Sequence, residues 1–487
     1  MEKAKNEEDI RLEHLANLRQ AGLDPYPPRV ERSHTLLEAK KEPLDSKVTV
    51  LGRIVGMRVM GRLCFCHLKD ESGRLQVAIS EKELGKDLFK LFTKNLEMGD
   101  FIEVTGIIFN THAGETSVLV QSFKVLCKAL LPLPEKFHGL NDVEIRYRKR
   151  YLDLLANEES MRIAKIRSVL VKEIRNYFDA LGFYEVETPI LQTLYGGALA
   201  RPFVTHHNAL DIPLYLRIAP ELYLKRLIVG GFEKVYEIAR CFRNEGIDNN
   251  HNPEFTQIEF YWAYVDYNKL MDVIEDLLPK LITAVGLPLK FQTADGEADF
   301  TPPYPRKTMR QLVLDYAKID MEDYPDQISM YDVAKKLKVD GIEKNDGRGK
   351  LIDEIYKAYA RPHIKNPIFM TDHPIELSPL AKSKPGDPRY VERFQLLCVG
   401  GNELCNSFSE LNDPIDQEAR LREQVRLGES GDDESMPYDE DFVEALKHGM
   451  PPTGGLGMGI DRLVKLLVNA DNLKEVILFP TLKPEQK

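Results

Sequence analysis

The stretch CFRNEGIDNNHNPEFTQIEF (241–260) links two β-rich runs, KVYEIARCFRNEG (234–246) and EFTQIEFYWAYVDY (254–267), through a polar loop. Arg243, Glu245, His251 and Asn252 lie in that loop, and Phe255 closes it. A guanidinium is a planar fork that matches phosphate oxygens two at a time, and an aromatic ring offers its face to a purine. A hairpin presenting both reads as a nucleotide contact. A second arginine, Arg462, opens the last helix directly after GGLGMG (454–459), whose glycines let a ligand approach the backbone closely. GGNELCNSFSELND (400–413) adds Glu403, Asn406 and Glu410. Each has a plain alternative taken singly: a surface arginine, a salt-bridged glutamate, a helix cap.

Outward from this centre, long helical patterns alternate with apolar strands from about 151 to 487. SMRIAKIRSVLVKEIRNYFDAL (160–181) predicts a helix, YEVETPIL (184–191) a strand and APELYLKRLIVGG (219–231) a helix. Residues 290–390 are irregular and Pro-interrupted and read as an insertion. The acidic run GESGDDESMPYDED (428–441) reads as a solvated turn. The first half has a different character. Residues 1–47 are an extension with a helix over 7–22. Residues 48–131 hold five short β-rich runs with one helical run, EKELGKDLFKLFTKNL (81–96), after the third. That plan fits an OB-fold, a small barrel that binds oligonucleotides, and equally an unrelated β-barrel. LPLPEKFHGL (131–140) begins a linker extending to 150.

Composition sets outer bounds. The 487 residues are 43% hydrophobic and 29% charged, with a formal charge of −11, which excludes collagen, coiled coil and wholesale disorder. No apolar run is long enough for a bilayer, and the acidic start MEKAKNEEDIRLEHL is not secretory in type, so a cytoplasmic protein is expected. Six cysteines in this length predict free thiols, and Cys64 and Cys66 lack a second ligand pair for zinc. A dinucleotide fingerprint at 455–459 fails because position 460 is Ile460, and GRGK (347–350) fails as a P-loop because Leu351 follows it.

Taken together, the chain resembles the class II aminoacyl-tRNA synthetases nearly end to end, and most closely their bacterial lysyl branch. GFYEVETPIL (182–191) resembles motif 1, FRNEG…HNPEFTQIE (242–259) motif 2 and GLGMGIDR (455–462) motif 3. RPFVTHHNALD (201–211), YLRIAPELYLKRL (215–227), FSELNDP (408–414) and KFHGL (136–140) point to the lysyl branch. The resemblance implies an α+β multidomain fold, an N-terminal OB-fold plus an antiparallel sheet flanked by helices, in a homodimer. It implies activation of L-lysine with ATP and transfer to the 3′ end of tRNA(Lys). By similarity, Arg243 and Arg462 are the catalytic residues, holding the α- and γ-phosphates, with Glu245 and Phe255 at the adenine and His251 and Asn252 at the triphosphate. Glu221 and Glu410 would take the substrate ammonium, helped by Tyr261, with Gly197, Glu259, Asn406 and Phe408 completing the lysine pocket. Phe65, Gln76 and Glu115 match anticodon-reading positions, although Phe65 also reads as barrel core.

One departure concerns magnesium. Glu403 matches a metal-binding and ATP-binding acid, but where the family carries a second acid this chain has Gln395, with one residue inserted between them. An amide is the weaker, uncharged ligand. Glu392 is the candidate substitute. The rivals are an aspartyl- or asparaginyl-type sibling and an RNA-binding paralogue with weakened catalysis.

Overall fold

A computed structural model describes residues 6–133, 140, 142–293, 296–429 and 436–485. The chain forms two compact units, Met1–Leu140 and Asn141–Lys487. The motif KFHGL (136–140), except its last residue, and much of the acidic run 428–441 lie outside the described residues.

In the first unit, β1 (Lys47–Met60), β2 (Leu63–Lys69), β3 (Arg74–Ser80), β4 (Phe101–Asn110) and β5 (Thr116–Cys127) close a barrel in the order β1-β2-β3-β5-β4. The helical run after β3 is two helices, Glu81–Leu84 and Lys86–Asn95, separated by Gly85 at φ 80°. Period-two alternation turns Cys64, Cys66 and Leu68 into the apolar barrel core. Helix Glu7–Gln20 starts at an Asn6 capping box and is tied to the barrel by Arg11, which donates to the carbonyls of Met98 and Ala129.

The second unit is built on an eight-stranded sheet. Its strands run, in spatial order, Arg306–Thr308, Ile368–Pro374, Tyr390–Cys398, Asn402–Ser409, Thr453–Gly459, Glu254–Ala263, Lys234–Phe242 and Tyr184–Glu185. Neighbours are antiparallel except for the outermost pair at each edge. Helices Glu158–Ala180 and Tyr267–Ala284 cover one face. The first presents Ile163, Ile166, Leu170, Ile174 and Phe178 at helical spacing to Ile258, Phe260, Leu456 and Met458 of the sheet. Each such fully buried side chain contributes roughly 1.5–3 kcal/mol. The other face is left for a cavity.

Three expectations change. In YEVETPIL only Tyr184 and Glu185 join the large sheet, and Leu191–Gln192 pair instead with Ile212–Leu216 in a small sheet. Pro189 explains the break, because it has no N–H for the ladder. Residues 290–390 are not irregular. They supply two strands of the large sheet and three helices, Met309–Ala317, Gln327–Lys336 and Arg348–Tyr359, which share a core with Met370 and Leu397. Pro325 and Pro367 fall between these elements, so the helical windows stay intact. The expected linker, 132–150, carries helix Val143–Arg148, capped by Asp142, and beyond it the buried ion pair of Arg150 with Asp153.

Candidate active site

A cavity of about 320 Å³ occupies the face of the sheet opposite the two long helices. Its floor follows from strand alternation. Along Thr453–Gly459, Gly455, Gly457 and Gly459 face the cavity while Leu456 and Met458 face the core. Next door, Gln257, Glu259 and Tyr261 face the cavity while Ile258 and Phe260 are buried beneath. Register sets these side chains in rows. Tyr261, Gly455, Phe408 and Arg393 lie opposite one another across four strands, and Glu259, Gly457, Asn406 and Gln395 form the next row. Strand Asn402–Ser409 carries a β-bulge: Leu396 pairs with Cys405 and Leu397 with Glu403, which leaves Leu404 unpaired. Because of it Glu403 and Asn406, three residues apart, both line the cavity; a regular strand would send them to opposite faces.

Two glycines are obligatory here. A Cβ on Gly455 would stand 2.0 Å from Glu410 Oε1 and 2.4 Å from Tyr261 Cε1. Gly197 has φ +85°, and a Cβ there would stand 2.8 Å from the Cβ of Glu221.

At this end the cavity wall is acidic. Glu221 opens helix Glu221–Val229, and Glu410 directly follows the bulged strand; both are buried. Burial pushes the Glu410 carboxyl up to about 8; Lys225 pulls it down and Glu221 pushes it further up. Burial, then Glu221, also drives Glu259 well above the ordinary carboxylate range. Glu259 accepts hydrogen bonds from Gln257 Nε2 at 2.5 Å and Tyr261 Oη at 3.3 Å. A desolvated group of carboxylates is costly unless a cation completes it.

At the opposite end of the glycine floor, beyond Gly459, the wall is basic. Arg243 follows strand Lys234–Phe242, lies 5.0 Å over the Phe255 ring and has a buried Nε with no hydrogen-bond partner. Arg462, in the first turn of helix Ile460–Leu467, donates to the Glu403 carbonyl at 3.3 Å and lies 3.4 Å from His251 Nε2. His251 is oriented in turn by Asp248, 2.8 Å from its Nδ1. Asn252 donates to the Glu254 carbonyl, and its Oδ1 is buried without a partner. Asp461 locks helix to hairpin by accepting from Arg167 and from the Thr256 backbone N–H. Orphaned donors and acceptors in a cavity are the groups a bound polar ligand satisfies.

Gln395 Nε2 donates to Glu403 Oε2 at 2.6 Å. Glu392 does not line the cavity with them, and it sits where the strand is irregular, between Val391 and Phe394. Among the described residues no cluster of three His, Cys, Asp or Glu has metal-holding geometry.

A family model described as tRNA synthetases class II (D, K and N) matches residues 142–483, and one described as OB-fold nucleic acid binding domain matches 48–126. The chain belongs to the class II tRNA synthetases. It is similar to proteins named lysine–tRNA ligase over nearly full length. The Pelotomaculum thermopropionicum protein is 46% identical, covering 98% of this chain and 95% of that one. The Chloroflexus aurantiacus protein is 47% identical, covering 97% of each. The Roseiflexus castenholzii protein is 48% identical, covering 98% of each.

In this synthetase every ATP- and lysine-pocket residue singled out from the sequence lines the one cavity: Gly197, Glu221, Arg243, Glu245, His251, Asn252, Phe255, Glu259, Tyr261, Glu403, Asn406, Phe408, Glu410 and Arg462. The barrel residues lie on one outer surface of the OB-fold. Phe65 is half-buried on the outward side of β2, not in the core, because Cys64 and Cys66 take the inward positions. Gln76 donates to Glu115 Oε2 at 2.8 Å and accepts from Ser117 Oγ at 2.9 Å, and His67 lies opposite Gln76.

Sequence reading missed Arg393 and Lys225. Arg393 donates to Asn406 Oδ1, the Leu377 carbonyl and Ser378 Oγ, and stacks 5.5 Å from Phe408, so it fixes two pocket residues at once. Its signal was the alternation ERFQ, which places it beside Gln395. Lys225 is four residues after Glu221, the spacing that brings helix neighbours together.

Proposed function

We propose that this synthetase is a lysine–tRNA ligase that activates L-lysine with ATP to lysyl-adenylate and passes the lysyl group to tRNA(Lys). The observation that carries the reading is one cavity with buried carboxylates at one end and phosphate-suited arginines at the other, joined along a strand whose cavity-facing positions are all glycine. Lysine enters with its ammonium toward Glu221, Glu410 and Tyr261 and its carboxylate toward Arg243. No side chain need act as nucleophile, because the substrate carboxylate attacks the α-phosphate itself. Arg243, whose Nε is unpaired and whose guanidinium lies over the Phe255 ring, stabilises the charge that builds there. Arg462 holds the outer phosphates and releases them as pyrophosphate. The rest is orientation: a fixed carboxylate-to-phosphate approach removes most of the entropy of a bimolecular step.

Magnesium, when bound, neutralises charge between the ATP phosphate oxygens. Glu403 is the carboxylate that would hold it; Gln395 turns its amide N–H to Glu403 and its carbonyl to His373 Nε2 at 3.4 Å, so it would orient Glu403 rather than add a second charged ligand. The OB-fold takes the anticodon on the Phe65–Gln76–Glu115 surface. A homodimer is supported by Tyr184, Ile190, Leu191 and Val204, large apolar side chains exposed on and beside motif 1. No helix among the described residues is long and apolar enough to cross a membrane, and we assign the enzyme to the cytoplasm.

The test is ATP–pyrophosphate exchange with each of the twenty amino acids. Exchange driven by lysine alone is expected; exchange driven by aspartate or asparagine would overturn the pocket assignment. A weakened paralogue would exchange with none.

A further inference from the structure

Behind the acidic wall lies a cation of the protein's own. Lys225 is fully buried and does not line the cavity. Its Nζ is 2.6 Å from Glu221 Oε1, forms an ion pair with Glu410 Oε2 and lies 5.9 Å from the Phe442 ring. Glu410 thus meets Lys225 with one oxygen. The other, Oε1, is buried without a hydrogen bond, above Gly455 and beside the Tyr261 ring, on the cavity side. Glu221 is bound to the same ammonium. With both carboxyls ionised, two carboxylates and one ammonium leave one unit of negative charge, the amount that a single substrate ammonium neutralises.

We propose that Lys225 is a positioning residue that determines amino-acid specificity: from behind the wall it ties Glu221 to Glu410, limits the subsite to one net negative charge and aims the free Glu410 oxygen at one ammonium. This rests on the lysine reading above. Lys225 pulls the raised Glu410 carboxyl down; without it the two buried carboxyls would face one another unscreened, and Glu410 would keep its proton to a still higher pH rather than receive the substrate. The other titratable groups around them are Glu259 and Tyr261 on the neighbouring strand; Arg243 and Arg393 stand on the cavity walls beyond.

The experiment uses the full chain and lysine-dependent pyrophosphate exchange between pH 6.5 and 9.5. Lys225→Met is expected to raise KM for lysine at least tenfold at pH 7 while KM for ATP stays within twofold. Its lysine KM should recover at a higher pH than that of the unaltered chain, and its preference for lysine over uncharged norleucine should fall. Lys225→Met/Glu221→Gln removes one charge of each sign, so it restores the single negative charge and avoids an uncompensated buried one. It should bind lysine better than Lys225→Met alone, and it carries the test if the single variant does not fold. A lysine KM unmoved in Lys225→Met at every pH would overturn the proposal. So would losses equal for lysine and ATP, or a double variant no better than the single. Absence of lysine-driven exchange in the unaltered chain would instead overturn the lysine reading itself.

Discussion

Gln395→Glu restores a second acid beside Glu403, and the structure says what that does. The native amide donates to Glu403 Oε2 at 2.6 Å, a hydrogen bond to a charged acceptor, of a kind worth about 1.5–3 kcal/mol. Replacing it with a carboxylate removes that bond and sets two negative charges roughly 4 Å apart. At the effective dielectric of a partly exposed site their repulsion is about 4 kcal/mol before salt screening. Allowing for rotation of the new side chain toward water, a net destabilisation of roughly 2–4 kcal/mol follows in magnesium-free solution. Magnesium reverses the sign, since a hard cation between two carboxylates is held better than one beside an amide. The assay has two arms. In thermal melting, the native chain should respond little to millimolar magnesium, while Gln395→Glu should melt several degrees lower without the metal and regain that loss with it. In pyrophosphate exchange, the magnesium midpoint should fall on the order of tenfold, the equivalent of about 1.4 kcal/mol. Identical magnesium dependence of both proteins in both arms would refute the assignment of Gln395 to the metal edge of the site.

Gly455→Ala forces a methyl against Glu410 and Tyr261; overpacking of this kind costs about 1–3 kcal/mol, and it should appear as a raised KM for lysine with ATP affected far less. Because the Glu410 carboxyl is held at about 8, its anionic form gains population as pH rises through that value. The substrate ammonium stays charged to about 10.4. KM for lysine should therefore fall between pH 7 and 8.5, and a flat or rising profile would exclude Glu410 as the ammonium partner. Phe65→Ala should weaken tRNA binding by about 1–3 kcal/mol, the range for one stacked base, measured as KM for tRNA in aminoacylation. Asp461→Ala strands Arg167 and the Thr256 N–H; loss of one partner from a buried ion pair is worth about 3 kcal/mol or more, and it should lower the melting temperature of the chain.

The pocket residues were named from their motifs and from the family resemblance, and alternation in GLGMG and TQIEFY explains why those residues share a face; in ELCNSFSE the bulge at Leu404 shifts the phase, which the letters alone do not show. Five short strands with a helix after the third gave the barrel in the same way. The misreadings have physical causes as well. YEVETPIL looks like one strand because β-propensity says nothing about partners, and only one residue, Pro189, marks where the ladder stops. Residues 290–390 looked irregular because prolines were read as breaking the elements, when Pro325 and Pro367 delimit them. Glu392 looked available because distance along the chain hides which residues line the cavity. Lys225 was visible as a residue but not as a counter-charge, since nothing local shows that Glu410, 185 positions later, meets it.

The bulge at Leu404 works as a parity switch. A strand normally assigns odd positions to one side and even positions to the other along its whole length. By skipping one count, this strand uses an odd position, Glu403, at the nucleotide end and even positions, Asn406, Phe408 and Glu410, at the amino-acid end, all opening into the same cavity. One strand thereby serves two substrates under two independent frames. The residue at the phosphate edge and the residues of the amino-acid frame are thus phased independently along one length of chain.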